Sequence, residues 1–292
     1  MLACTHFFSP SPGTYAVVRM DPVAMVEELG IDDVEAVAAA RAMQPKSYLI
    51  YLDFDLELPF PNKPWYRYQV RPVAPSLRAE DLDEGITPDM CVAIFPNTGH
   101  PSGRPPVRTE PIFPYKNCYH WVDFDLDIRV RAKPELFDES RAVRLPAMEH
   151  VELDCHFGQD MRRSMVLQKR RREELGLPSL PAPQVRRTRL RVPFHEHPNG
   201  FLGGYSPSDS TSESDGSSCC STTPSDGSLP VHDEVDALMA MDIFGGPDQD
   251  VAVLPLVDLW LDLADQMKEE SIPCPLELIR ERDTIVKSVF IS

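Results

Sequence analysis

The sequence predicts an α+β fold with a largely antiparallel sheet, short peripheral helices and proline-rich loops. Three observations carry that expectation. Tyr51-Leu-Asp-Phe-Asp-Leu-Glu-Leu58 recurs 70 residues later as Trp121-Val-Asp-Phe-Asp-Leu-Asp-Ile128, with Lys46 and Lys116 in matching register upstream. In both copies apolar residues alternate with acidic ones, and period two over eight residues is the mark of a half-buried strand. Six or so such stretches follow two helical ones, and 30 prolines among 292 residues argue against long helices where they cluster.

In chain order, Tyr15 to Arg19 reads as a strand. Pro22 to Leu29 and Asp32 to Met43 read as helices, the second with Asp32 as N-cap, Glu35 three residues on and an alanine-rich body. The first acidic copy is a strand with Leu52, Phe54, Leu56 and Leu58 buried and Asp53, Asp55 and Glu57 exposed. Further strands are expected at Trp65 to Val70 and Cys91 to Phe95. The second copy runs on to Arg131 with Val122, Phe124, Leu126 and Ile128 inward. His150 to Phe157 alternates in the same way and is predicted as the last strand. Asp160 to Leu175 reads as an exposed helix with a narrow apolar stripe, Met161, Met165 and Leu175, beside a basic flank.

These elements make an α+β domain over residues 1–192, its boundary falling at 192 or as early as 175. Pro178 to Pro183 is a stiff spacer. A Ser/Pro/Gly-rich linker over 193–230 has little to bury and is expected to be disordered. Residues 231–292 regain apolar periodicity at Val235 to Phe244, Leu256 to Met267 and Leu276 to Val289, and read as an acidic helical tail.

The net charge is −17, and its distribution is uneven. Residues 161–200 hold ten basic and three acidic side chains, whereas residues 201–292 hold four basic and eighteen acidic ones. A basic island between acidic flanks suits an anionic partner or the chain's own tail. Seven cysteines form no CxxC pair, no N-terminal apolar run or N-x-Ser/Thr sequon appears, and no apolar stretch approaches a membrane span. A cytoplasmic or nuclear protein, or one in both places, is the expectation, with no membrane contact.

The duplicated Asp-Phe-Asp offers carboxylates at i and i+2, and Asp53, Asp55, Asp123 and Asp125 could converge on a divalent cation. Tyr48-Leu-Ile-Tyr-Leu52 ahead of Asp53-Phe-Asp55 resembles the aspartate motif of haloacid-dehalogenase phosphatases over about eight residues, which would imply phosphoryl chemistry. It departs from that motif at Leu56-Glu57, where a Gly/Thr turn is expected. The same three residues resemble the D-x-D metal motif of glycosyltransferases. The bland alternative is two strands with polar outer faces. His195-Glu-His197 puts two imidazoles on one side, but Pro193 and Pro198 bracket them as a loop. Cys118 beside Tyr119 and His120 would be separated from its neighbour across two strand faces. No Gly-rich phosphate loop, GxSxG or HExxH motif is present.

Lys169, Arg170, Arg171 and Arg172, with Arg186 and Arg187, have the spacing of a bipartite import signal or an anion-binding surface. No aromatic residue lies between 158 and 193 to stack on bases, so nucleic acid is weakly supported as a partner. Ser210 and Ser212 stand in acid-directed kinase contexts, and Ser206 and Thr223 in proline-directed ones. Leu256, Trp260 and Leu263 fall at i, i+4 and i+7, a helical face that would either enter a partner's groove or dock back on the sheet. The expectation is a non-enzymatic protein–protein interaction or regulatory protein without a cofactor. The alternative is a cation-dependent enzyme using the four aspartates.

Overall fold

A computed structural model describes residues 5–28, 34–61, 63–122, 124–178 and 254–290, the last five by their helical backbone. Its strands are β1 (His6–Phe7), β2 (Tyr15–Met20), β3 (Ser47–Asp55), β4 (Trp65–Ala74), β5 (Cys91–Ala93), β6 (Tyr119–Trp121), β7 (Leu126–Arg131), β8 (Phe137–Asp138) and β9 (Leu256–Trp260). Its helices are α1 (Pro22–Glu28), α2 (Val34–Ala42), α3 (Ala147–Glu174), α4 (Leu263–Gln266) and α5 (Pro275–Phe290), with a 3₁₀ turn at Glu269–Ser271. Helices and mostly antiparallel strands are thus both present, as expected. The described residues all belong to one unit, formed by residues 1–183 and 249–292. The linker expected at 193–230 lies outside them, as do the first 23 residues of the expected tail.

Five strands close on themselves in the order β3-β2-β9-β7-β4, with β4 pairing back onto β3. Every pairing in this ring is antiparallel except β7 with β9, which is parallel. Closure removes the exposed edges that an open sheet would offer to other chains. β4 overruns the ring and pairs through Val73 and Ala74 with β6, which carries β5 beyond it.

All five ring strands contribute to one apolar cluster, the barrel interior: Val18, Ile50, Val70, Ile128 and Leu259 are buried side by side. Met25 of α1 and Leu278 and Ile285 of α5 join it. The opposite face of β2 and β3, through Tyr15, Val17, Leu49 and Tyr51, belongs to a second cluster with Val92, Ile94, Leu153 and Phe157. Because both faces of β3 are covered, Tyr48 through Asp53 are buried without interruption.

The last segment corrects the expected tail. Leu256 to Trp260 is not helical but is the strand β9, inserted between β2 and β7. A five-residue apolar run fits a strand or one helical turn equally well, and pairing on both edges decides it. Arg129, itself buried, fixes the entry of β9 by donating from Nε and Nη2 to the Leu254 carbonyl at 3.2 and 3.0 Å. Its guanidinium also lies over the Trp65 ring.

The strand expected at His150 to Phe157 is instead the first half of the 28-residue helix α3. Leu153 and Phe157 satisfy period two and i, i+4 alike, and the buried series continues at Asp160 and Ser164, which only a helix explains. α3 follows Pro146 and ends where Gly176 takes φ +64°. The Gly176 and Leu177 amides donate back to the Glu173 and Arg172 carbonyls at 3.1 and 2.9 Å, satisfying carbonyls the helix would leave open.

The duplicated passage does not make two alike strands. In the first copy a bulge falls between Leu52 and Phe54, so Val70 and Gln69 oppose Leu52 and Phe54 and Asp53 is the extra residue. Asp53 turns inward, 3% exposed, and Phe54 outward, 46% exposed, the reverse of the expected phase. The second copy is split between β6 and β7, yet Val122, Phe124, Leu126 and Ile128 are buried as predicted.

Candidate functional site

α3 packs against β5 and reaches side chains of β3, β4 and β6, and a polar cluster lies under its first three turns. The register sets it up. Tyr15 pairs with Tyr51 and Tyr51 with Arg71 across three strands, and His120 enters from β6 opposite Val73. The bulge adds Asp53 to the same side. From above, α3 contributes His150, Asp154 and Phe157, and Asp125 reaches in from the connection between β6 and β7.

Arg71 is the hub. Its Nη2 lies 2.7 Å from Asp53 Oδ2 and 2.9 Å from Asp154 Oδ1, its Nε lies 3.5 Å from Asp125 Oδ1, and its guanidinium rests on the Phe157 ring. The Asp53 pair is held by charge rather than by a well-aligned hydrogen bond. The remaining carboxylate oxygens turn to His150: its Nε2 lies 3.3 Å from Asp154 Oδ2 and 3.9 Å from Asp53 Oδ1. His150 Nδ1 meets the Tyr51 hydroxyl at 2.5 Å. Behind them, the Tyr15 hydroxyl and His120 Nε2 are 2.8 Å apart.

Electrostatics follow from burial. Desolvation pushes the Asp53 carboxyl up to about 7; Arg71 pulls it down, and Asp154 and Asp125 push it further up. Burial lowers His120 to about 3, helped by the charges of Arg71 and His150, so its ring is neutral. Burial likewise holds the Tyr15 and Tyr51 phenols protonated.

Of the four aspartates expected to share a cation, Asp53 and Asp125 meet at Arg71, but Asp55 turns to the Tyr68 hydroxyl and Asp123 lies outside the described residues. The four therefore do not gather among the described residues, because the bulge sends Asp53 and Asp55 to different surroundings. Sequence reading missed Arg71, His150 and Asp154. The first sits unmarked in a strand, and the other two lay on what read as a strand of the wrong period.

The rest of α3 is anchored by its inner edge. Arg104 grips Asp160 with two bonds of 2.6 and 2.9 Å and also donates to the Cys91 carbonyl. Arg163 pairs with Asp89 at 2.6 and 2.9 Å, and Ser164 donates to the Glu84 carbonyl. Gly85 packs so tightly here that a Cβ would stand 2.3 Å from the Ser164 carbonyl oxygen, and its φ of +65° suits glycine.

The opposite side of α3 carries Met148, Val151, Cys155, Arg162 and Val166, all exposed, with Met161 and Met165 exposed beside them. Lys169 and Arg170 are exposed in its last turns, where Arg171 approaches Asp83 and Glu174, and Arg172 donates to the Pro178 carbonyl. Arg186 and Arg187, the histidine pair at 195 and 197, and Ser206, Ser210, Ser212 and Thr223 lie outside the described residues. Leu256 and Leu263 are buried and Trp260 is half-buried between Arg19 and Lys133, so of the two alternatives for this row it is packing within the chain that is found. Cys118 is buried and its thiol is pushed up to about 12 by burial, which leaves it unreactive.

Two open clefts lie elsewhere. One of about 220 Å³ runs between Met43–Pro45 and Arg280–Ile285. The other, of about 370 Å³, lies between Pro111–Pro114 and Asp262–Ala264. Neither includes a residue of the polar cluster. No helix among the described residues is long and apolar enough to cross a membrane. No protein-family model, curated protein or solved structure matches the chain.

Proposed function

We propose that the chain is a non-enzymatic protein–protein interaction module, and that the outer face of α3 docks an acidic, amphipathic segment of a partner protein. One observation carries the reading: exposed apolar side chains, Met148, Val151 and Val166 with Met161 and Met165 to one side, share a helix with exposed Arg162 and Arg170 and with Lys169, which lies 3.9 Å from Glu173. Methionine-rich surfaces adapt to varied apolar partners, and a groove-binding helix offers its apolar face with charge at the rim. The helix is already fixed on its other side by Leu153, Phe157, Asp160 and Ser164, so docking costs little ordering. The basic rim sets the chemistry of the partner, because acidic residues there would find opposite charge.

The test uses a synthetic helical peptide with leucine on one face and glutamate on the other, its binding to the full chain followed by fluorescence anisotropy. Met165→Asp and, separately, Arg170→Glu should each weaken binding about fivefold or more, the loss expected of a residue worth about 1 kcal/mol. Raised salt should weaken it further. Binding unchanged by both substitutions rejects the reading. So does a chain whose α3 face is covered by a second copy, seen as a dimer in sedimentation that Met165→Asp dissociates.

A further inference from the structure

We propose that Asp53, His150 and Asp154 form a binding site for a divalent transition-metal cation of the zinc class. Three side chains from two elements, Asp53, His150 and Asp154, offer one donor atom each, and the three atoms lie within 4.8 Å of one another. A metal held at about 2.0–2.2 Å by oxygen and imidazole nitrogen needs its donors about 3–3.5 Å apart. His150 Nε2 is already 3.3 Å from Asp154 Oδ2 and 3.9 Å from Asp53 Oδ1, so a small inward movement completes the set.

The division of atoms at the site points the same way. Arg71 takes Asp53 Oδ2 and Asp154 Oδ1, which leaves the other oxygen of each carboxylate facing the imidazole. Asp53 Oδ1 has no hydrogen-bond partner although its side chain is fully buried. An uncompensated buried oxygen aimed at a histidine nitrogen is costly unless a cation or proton fills the gap. Asp53 and Asp154 share a single nitrogen, Nη2, of the Arg71 guanidinium.

The surroundings suit a ligand histidine. The tautomer that carries its proton on Nδ1 donates it to the Tyr51 oxygen, 2.5 Å away, and leaves the Nε2 lone pair for the site. The nitrogen donor favours zinc-class ions over magnesium or calcium, which prefer oxygen alone. Asp154 is 42% exposed along its side chain, which gives an ion a way in and leaves coordination positions open to water.

Cobalt(II) titration of the full chain, read by visible absorption, tests the site. The proposal expects saturation at one equivalent, displacement by zinc and no displacement by magnesium. His150→Ala and Asp154→Asn, both at partly exposed positions, should each weaken binding at least tenfold while circular dichroism and thermal midpoint show the fold intact. Tyr51→Phe, which removes only the hydroxyl that orients the ring, should weaken it about tenfold. Binding that persists in His150→Ala, or that is lost instead in His195→Ala/His197→Ala, places the ion elsewhere and overturns the proposal. So does a wild-type chain that takes up no cobalt, in which case Arg71 and a proton already neutralise the cluster.

Discussion

His120 shows how one buried side chain sets a dependence on pH. Its ring is enclosed by Tyr15, Tyr51 and Phe157, faces the charges of Arg71 and His150, and titrates at about 3 instead of 6.5. Between those values the unfolded chain takes up a proton there and the folded chain does not, so the neutral ring favours folding above about pH 6.5 and loses that advantage as pH falls toward 3. The slope from this group approaches about 1.4 kcal/mol per pH unit. His120→Gln keeps a partner for the Tyr15 hydroxyl and removes the titration. Chemical denaturation of both chains from pH 4 to 7 should show the wild type losing stability relative to the variant on acidification. Asp160 makes the complementary case of a buried charge that is fully paired. Asp160→Ala strands Arg104, 12% exposed along its side chain, and should cost about 3–5 kcal/mol. Urea unfolding measures it directly.

At the scale of elements, the duplicated passage is the sharpest comparison between what the residues predict and what they form. Phe54 and Phe124 occupy equivalent places in sequence, yet the bulge leaves Phe54 46% exposed and Phe124 8% exposed against Trp121. Phe124→Ala should cost about 3–5 kcal/mol in urea unfolding, whereas Phe54→Ala should stay within about 1 kcal/mol, as surface changes do. Equal losses would mean that the bulge is absent. The strands at Tyr15, Trp65 and Cys91 and the two helices after β2 were legible because local period and burial agree there. The bulge was not, since an extra residue is defined by the partner strand and not by its own neighbours. Nor was α3, because Val151-Glu-Leu-Asp-Cys-His-Phe157 satisfies two periods at once and only contacts with the sheet choose between them. The candidate site depends on both: Asp53 enters through the bulge, and His150 and Asp154 align one turn apart only on a helix. Asp53 was therefore visible as a carboxylate of interest, while the residues it meets were not.

For the whole molecule, the closed ring ties the two ends of the described chain together. β9 comes from beyond residue 254 and sits between β2 and β7, so the barrel is complete only with it. Leu259 is fully buried, and Leu259→Ala should cost about 2–5 kcal/mol of a single cooperative unfolding transition. A separable tail would leave that transition unmoved. The ring is closed and one side of α3 is anchored through Arg104, Arg163 and Ser164, and the exposed side of that helix is where we propose that a partner docks. The most direct test is amide hydrogen exchange across the full chain, alone and saturated with the leucine/glutamate helical peptide. Docking on α3 predicts slowed exchange in the outer turns between residues 148 and 172, with β2, β3, β4, β7 and β9 unchanged. Protection confined to the cleft between Pro111–Pro114 and Asp262–Ala264, or no protection on α3, would contradict it.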